Sequence, residues 1–97
     1  DVPKTFITPE IRVHCPDEIK FKVVEKVKEE LRKDHPIIDV DGVRAQFEDG
    51  WGLVRASNTQ PVLVLRFEAL SEKRLQEIKK LVEDKVKLAV SVLEKKF

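Results

Sequence analysis

Two helix-spaced apolar series bracket a block of strand-like runs, and that order restricts the folds open to this chain. Ile19, Val23, Val24, Val27 and Leu31 recur at helical spacing, as do Leu75, Ile78, Val82, Val86, Ala89 and Leu93, so each series predicts a helix with one buried stripe. Between them, 37–40, 43–47, 51–54 and 62–67 read as strands. Val43, Ala45 and Phe47 alternate with Arg44 and Gln46, placing one face in a core and the other toward water. The run Val62-Leu63-Val64-Leu65-Arg66-Phe67 is almost wholly apolar, which predicts a central strand covered on both faces. Asp41-Gly42 and Asp49-Gly50 read as two-residue hairpin turns. Ile11-Arg12-Val13 precedes Pro16 and reads as a short first strand. Asp17 is the expected N-cap of the first helix, with Glu18 in its first turn; Asp34-His35-Pro36 ends it, and Ser71 caps the second. The order strand, helix, four strands, helix predicts an α+β domain. Its sheet is largely antiparallel, with both helices on one face and Arg44 and Gln46 on a partly open one. Residues 1–9, with Pro3 and Pro9, read as an interdomain linker or hinge, leaving 10–97 as a single domain.

Composition removes several function classes. The chain has 97 residues, enough for one domain. A single cysteine, Cys15, allows no internal disulfide and fits a reducing, cytoplasmic setting. No apolar run is long enough to span a membrane. Charged residues make up 38%, yet 19 Lys+Arg against 18 Asp+Glu leave a net charge of +1, with no global pull toward nucleic acid or anionic lipid. The chain begins at Asp1 and contains no Met, so it reads as a piece of a longer protein.

The densest chemistry lies in Arg55-Ala56-Ser57-Asn58-Thr59, between two strand-like runs. It offers a guanidinium fork, two hydroxyls, an amide and backbone N–H groups. A phosphate presents only acceptors, so a donor-rich loop matches it, and an arginine fork takes two oxygens at once. Ser57 and Thr59 would both face the anion if the loop curled with its amides in a nest. The residues alone leave open a solvated loop whose Ser, Asn and Thr satisfy their own turn. Arg66, expected as a buried charge near the end of the central strand, would either reinforce the anion site or pair with Glu68 or Glu48. His14 and Cys15 are neighbours on a strand and point to opposite faces, which disfavours a joint metal or thiol site. Asp39 and Asp41 flank a turn, and Trp51 reads as packing.

Beyond these local readings, the chain resembles the C-terminal, fourth domain of the α-D-phosphohexomutases, in the phosphomannomutase/phosphoglucomutase branch. The resemblance rests on Asp41-Gly42-Val43, on Asp49-Gly50-Trp51-Gly52-Leu53-Val54-Arg55-Ala56-Ser57-Asn58-Thr59-Gln60-Pro61, and on Leu65-Arg66-Phe67-Glu68-Ala69. Thr8-Pro9-Glu10-Ile11 and Phe21-Lys22-Val23-Val24 fit the same pattern. It implies a fold like that of the TATA-binding protein. It also implies a four-domain parent, an intramolecular phosphotransferase that interconverts hexose 6-phosphate and hexose 1-phosphate. There a phosphoserine of the first domain reacts, Mg²⁺ sits on aspartates of the second, and the third reads sugar hydroxyls. The fourth clamps the substrate's non-reacting phosphate. By that resemblance Arg55, Ser57, Asn58 and Thr59 form the clamp, Ala56 lends its backbone, and Arg66 assists the clamp without belonging to it. The partners implied are a phosphosugar and the other three domains, with no nucleic acid and no membrane. This piece would hold no cofactor and no catalytic residue, because the phosphoserine segment and the metal motif are not in it. Asn58 and Gln60 stand where the commoner loop of the family has Gly and Glu; the Asn form fits the dual-specificity branch. The contrasting readings are a nucleic-acid module using Arg12, Arg44 and Trp51 on the open sheet face, and a structural or dimerising domain.

Overall fold

A computed structural model describes residues 5–39 and 42–96. Its elements are β1 (Phe6–Ile7), β2 (Ile11–His14), α1 (Lys20–Arg32), β3 (Ile37–Ile38), β4 (Val43–Phe47), β5 (Gly50–Ala56), β6 (Val62–Ala69) and α2 (Glu72–Lys96). One antiparallel sheet runs β1-β6-β5-β4-β3, and β2 also pairs with β6. Both helices pack on one face, in the α+β arrangement the sequence predicts. The buried cluster joins the α1 residues Val23, Val27 and Leu31 and the α2 residues Ile78, Val82 and Val86 to Val43, Val54, Leu63, Leu65 and Phe67 of the sheet. Full burial of each such side chain is worth about 1.5–3 kcal/mol, so the two amphipathic stripes and the inner sheet face supply the apolar driving force for this fold.

The segment read as a linker carries a strand at its far end. Phe6 and Ile7 pair with Ala69 and Glu68, while Phe6 packs against the core. β1 and β2 therefore run along the same edge of β6. Between them Thr8, Pro9 and Glu10 stand opposite only Arg66 and Phe67, a bulge of one extra residue. Thr8 secures it: its N–H donates to the Phe67 carbonyl (3.0 Å), and its buried hydroxyl accepts the Phe67 N–H (3.1 Å).

Several local expectations are corrected. Asp17 does not cap α1. Ile19 holds that position without a side-chain bond, no acid lies in the first turn, and Asp17 instead pairs with Lys20. The N–H groups of Ile19 and Lys20 both reach the Pro16 carbonyl (3.1 and 3.0 Å), so backbone does the work assigned to the carboxylate. Ser71 caps α2 as expected, its hydroxyl accepting the Arg74 N–H at 3.1 Å. The second hairpin turn is Glu48–Asp49, because Gly50 already pairs with Phe47. Gly50 lacks a positive φ, and what requires glycine there is crowding, since a Cβ would lie 2.4 Å from the Glu68 carbonyl oxygen. The first hairpin is offset by one residue. A two-residue turn at 41–42 would place Ile38 opposite Ala45, but Ile38 pairs with Arg44. Gly42 does take φ +126°; Val40 and Asp41 lie outside the described residues. Helices cover only one face of β6: Leu63, Leu65, Phe67 and Ala69 are buried beneath them, whereas on the other face Val64 is still buried and Arg66 is exposed.

Candidate functional site

Register determines which side chains share the open face. Arg12, Val64 and Arg55 lie in one row across β2, β6 and β5. Residues directly opposite on neighbouring strands have adjacent side chains, so Arg12 and Arg55 flank Val64, and all three line one space. β5 ends at Ala56 and β6 resumes at Val62, placing 57–61 directly beyond that row. The result is a surface cavity of about 410 Å³ whose polar lining is Glu10, Arg12, Arg55, Ser57, Asn58, Thr59 and Gln60.

The loop is held by its own bonds. The Ser57 N–H donates to the Val62 carbonyl (3.0 Å), closing the hairpin, and the Val62 N–H donates to the Gln60 carbonyl (2.8 Å). The Ser57 hydroxyl oxygen accepts the N–H groups of Thr59 and Gln60, both at 3.2 Å. Those amides therefore serve the turn, as the solvated-loop reading has it, and do not form the expected nest. The Ser57 hydroxyl proton, the Asn58 amide and the Thr59 hydroxyl take no part in those bonds. Asn58 and Thr59 are exposed, and Ser57 is half-buried.

Both arginines are already engaged. Arg55 faces the Glu10 carboxylate at 3.5 Å, long for a hydrogen bond, and Arg12 donates to Gln60 Oε1 at 3.3 Å. Behind the loop, Lys20 donates to the Gln60 carbonyl at 3.0 Å, and the Cys15 N–H reaches the Pro61 carbonyl at 2.8 Å. The Arg55 backbone also has a close neighbour: a Cβ on Gly42 would lie 2.7 Å from Arg55 Cβ and 2.6 Å from the Val54 carbonyl oxygen.

Of the residues singled out in the sequence, Arg55, Ala56, Ser57, Asn58 and Thr59 meet at one cavity. Arg66 is not brought into it. It stands opposite Leu53 in the next row, exposed, without an ion pair to Glu68 or Glu48 among the described residues. An exposed guanidinium needs no buried partner, which corrects that expectation. Trp51 lies under Arg44, whose guanidinium carbon is 4.4 Å from the ring centroid. Cys15 is buried and His14 exposed; desolvation, then the nearby Glu94 charge, pushes the thiol above its ordinary value. Asp39 pairs with Lys28. Among the described residues no three His, Cys, Asp or Glu converge on a metal position. Glu10, Lys20 and Gln60 were missed. Strand alternation in β2 puts Arg12 on the open face, but its nearness to the loop depends on register, and Glu10 arrives through the bulge.

A family model described as phosphoglucomutase/phosphomannomutase, C-terminal domain, matches residues 10–85. The chain belongs to that family. The phosphomannomutase/phosphoglucomutase of Pseudomonas aeruginosa strain PAO1 is 42% identical over 92 residues, which are 94% of this chain and 20% of the relative. The phosphoglucomutase of Neisseria gonorrhoeae is 41% identical over 81 residues, 80% of this chain and 18% of that protein. A crystal structure of a phosphoglucomutase/phosphomannomutase family protein from Burkholderia thailandensis superposes with a TM-score of 0.73 at 35% identity, covering 90% of this chain and 18% of the other. The chain thus spans about a fifth of the length of these relatives. Its phosphoglucomutase/phosphomannomutase fold carries the loop 57–61 between β5 and β6, in a segment inside the matched range.

Proposed function

We propose that this domain binds the non-reacting phosphate of a hexose phosphate, within a parent mutase that interconverts hexose 6-phosphate and hexose 1-phosphate. The observation that carries the reading is the shared cavity, whose lining includes Arg55 from β5, Arg12 from β2 and the donor-bearing residues 57–59. Arg55 supplies a fork to two phosphate oxygens, the Ser57 and Thr59 hydroxyls and the Asn58 amide donate to the rest, and Ala56 holds the strand end from which they project. Charge-assisted bonds of this type are worth about 1.5–3 kcal/mol each when sheltered, less at an exposed site.

Such a clamp performs no bond cleavage. It fixes the far end of the sugar, and that remote binding energy orients the reacting end. Because it reads phosphate alone, it accepts either end of a bisphosphorylated intermediate that turns over in the site. The reacting phosphoserine and the Mg²⁺ belong to the remainder of the parent. The carboxylates here do not fit that ion, since Glu10 faces Arg55 and Asp39 faces Lys28. The parent's other domains would be this domain's partners, and their closure over the cavity would shed water from the site. The single free thiol accords with a cytoplasmic setting. No helix among the described residues is long and apolar enough to cross a membrane.

Titration of the 97-residue protein with glucose 1-phosphate, followed by amide NMR, tests the reading. Binding on the order of 1 mM is expected, with the amides of 55–59 moving first and Arg55→Ala removing the response. Shifts confined to other parts of the sheet would refute it.

A further inference from the structure

Lys20 occupies a place where the α1 stripe calls for an apolar side chain. It lies three and four residues before Val23 and Val24 and is only 5% exposed. Lysine is seldom buried without partners, because its charge leaves water at a cost. Here the ammonium pairs with Asp17 Oδ1 at 2.8 Å and donates to the Gln60 carbonyl at 3.0 Å. The Phe21 ring centroid lies 5.4 Å from the same nitrogen.

Gln60 is the residue through which the loop is tied together. Its carbonyl also accepts the Val62 N–H, and its N–H donates to the Ser57 hydroxyl oxygen. The next carbonyl, of Pro61, accepts the Cys15 N–H. Two successive carbonyls of the loop are thus drawn toward the β2–α1 junction and away from the cavity. A carbonyl turned outward would set a negative dipole against any anion bound there.

We propose that Lys20 is a positioning residue for the anion loop. It holds the Gln60 carbonyl inward, keeps the Ser57 hydroxyl in register for its ligand, and places a positive charge behind the loop. The inference rests on the phosphate-binding reading, because it assigns Lys20 a task only if 55–59 receive an anion.

The test compares the wild-type protein, Lys20→Met and Lys20→Arg, titrated with glucose 1-phosphate and followed by amide NMR. Loss of the charged bond should weaken binding roughly ten-fold in Lys20→Met, with the core amides unmoved and those of 57–62 shifted. Lys20→Arg should restore affinity to within about two-fold, since a guanidinium can reach the same carbonyl. Wild-type affinity in a folded Lys20→Met protein overturns the proposal. Should that variant not fold, the wild-type Lys20 Nζ and Gln60 carbonyl resonances decide the matter. Movement in step with the 55–59 amides supports the inference, and stillness while those amides move overturns it. If the 55–59 amides of the wild type do not respond at all, the phosphate reading fails and this inference falls with it.

Discussion

Glu10→Gln should tighten anion binding. Glu10 enters the cavity from the β1–β2 bulge, and its carboxylate faces the Arg55 guanidinium at 3.5 Å, with the two side chains 43% and 47% exposed. A phosphate that takes the fork displaces this carboxylate and then sits close to it. An exposed pair of this kind is worth about 0–1 kcal/mol, and that is the first quantity the ligand must overcome. The second is repulsion. A dianion about 8 Å from a carboxylate in water meets about 1 kcal/mol before screening, and at physiological salt one Debye length, about 8 Å, removes more than half of it. Together these amount to about 1 kcal/mol, or roughly a five-fold lower Kd for glucose 1-phosphate in the glutamine variant. The advantage should shrink as salt is raised to about 0.5 M, while stability changes by under about 1 kcal/mol. Calorimetric or NMR titration at two ionic strengths measures it. If the glutamine variant binds more weakly than wild type, Glu10 orients the arginine and does not compete for it, and the reasoning fails.

Three further outcomes are expected from the framework. Gly50→Ala forces a Cβ within 2.4 Å of the Glu68 carbonyl oxygen and 2.9 Å of Ile78 Cδ1; a loss of about 3 kcal/mol or more in urea unfolding is expected, and a loss under about 0.5 kcal/mol would contradict the packing. Gly42→Ala combines a strained φ of +126° with contact against Arg55 Cβ, so it should lower both thermal stability and phosphosugar affinity; retained affinity would show that the hairpin does not set Arg55. The Arg74 guanidinium, 2.7 Å away, holds the Asp49 carboxyl below its ordinary value. A depressed folded value means the ionised form is favoured on folding, so the stabilisation is full above the unfolded value near 4 and is lost as pH falls through the folded one. The melting temperature of wild type should exceed that of Asp49→Asn from pH 5 to 7 and converge with it in acid, and a gap independent of pH would count against the pairing.

The parts legible in the sequence are those fixed by local chemistry. Helical spacing at 19–31 and 75–93 produced both helices, because burial of one stripe is a property of the segment itself. Alternation in Val43, Ala45 and Phe47 identified a strand with one wet face, and the donor-rich loop was found by composition. Register was not legible: a one-residue shift at the first hairpin depends on cross-strand partners. β1 was hidden because two residues carry no periodicity, and Phe6 is ordered by the edge of β6. Asp17 looked like a cap because caps are assigned from nearest neighbours, whereas its partner is a lysine whose burial follows from the loop 40 residues on. Arg66 was misplaced because an apolar run implies two covered faces, and this sheet has helices on one. In the candidate site, Arg12 and Glu10 became visible only when β2 was laid beside β6.

The clasp at Thr8 has a mechanical consequence. The chain arriving at the domain is stitched to Phe67, and only two residues further on it delivers the carboxylate that faces Arg55. Peeling the arriving strand from the sheet margin would withdraw that carboxylate, and an anion seated on the arginine would in turn loosen the stitch. Occupancy and attachment are then two ends of one lever, coupled by the same free energy in both directions.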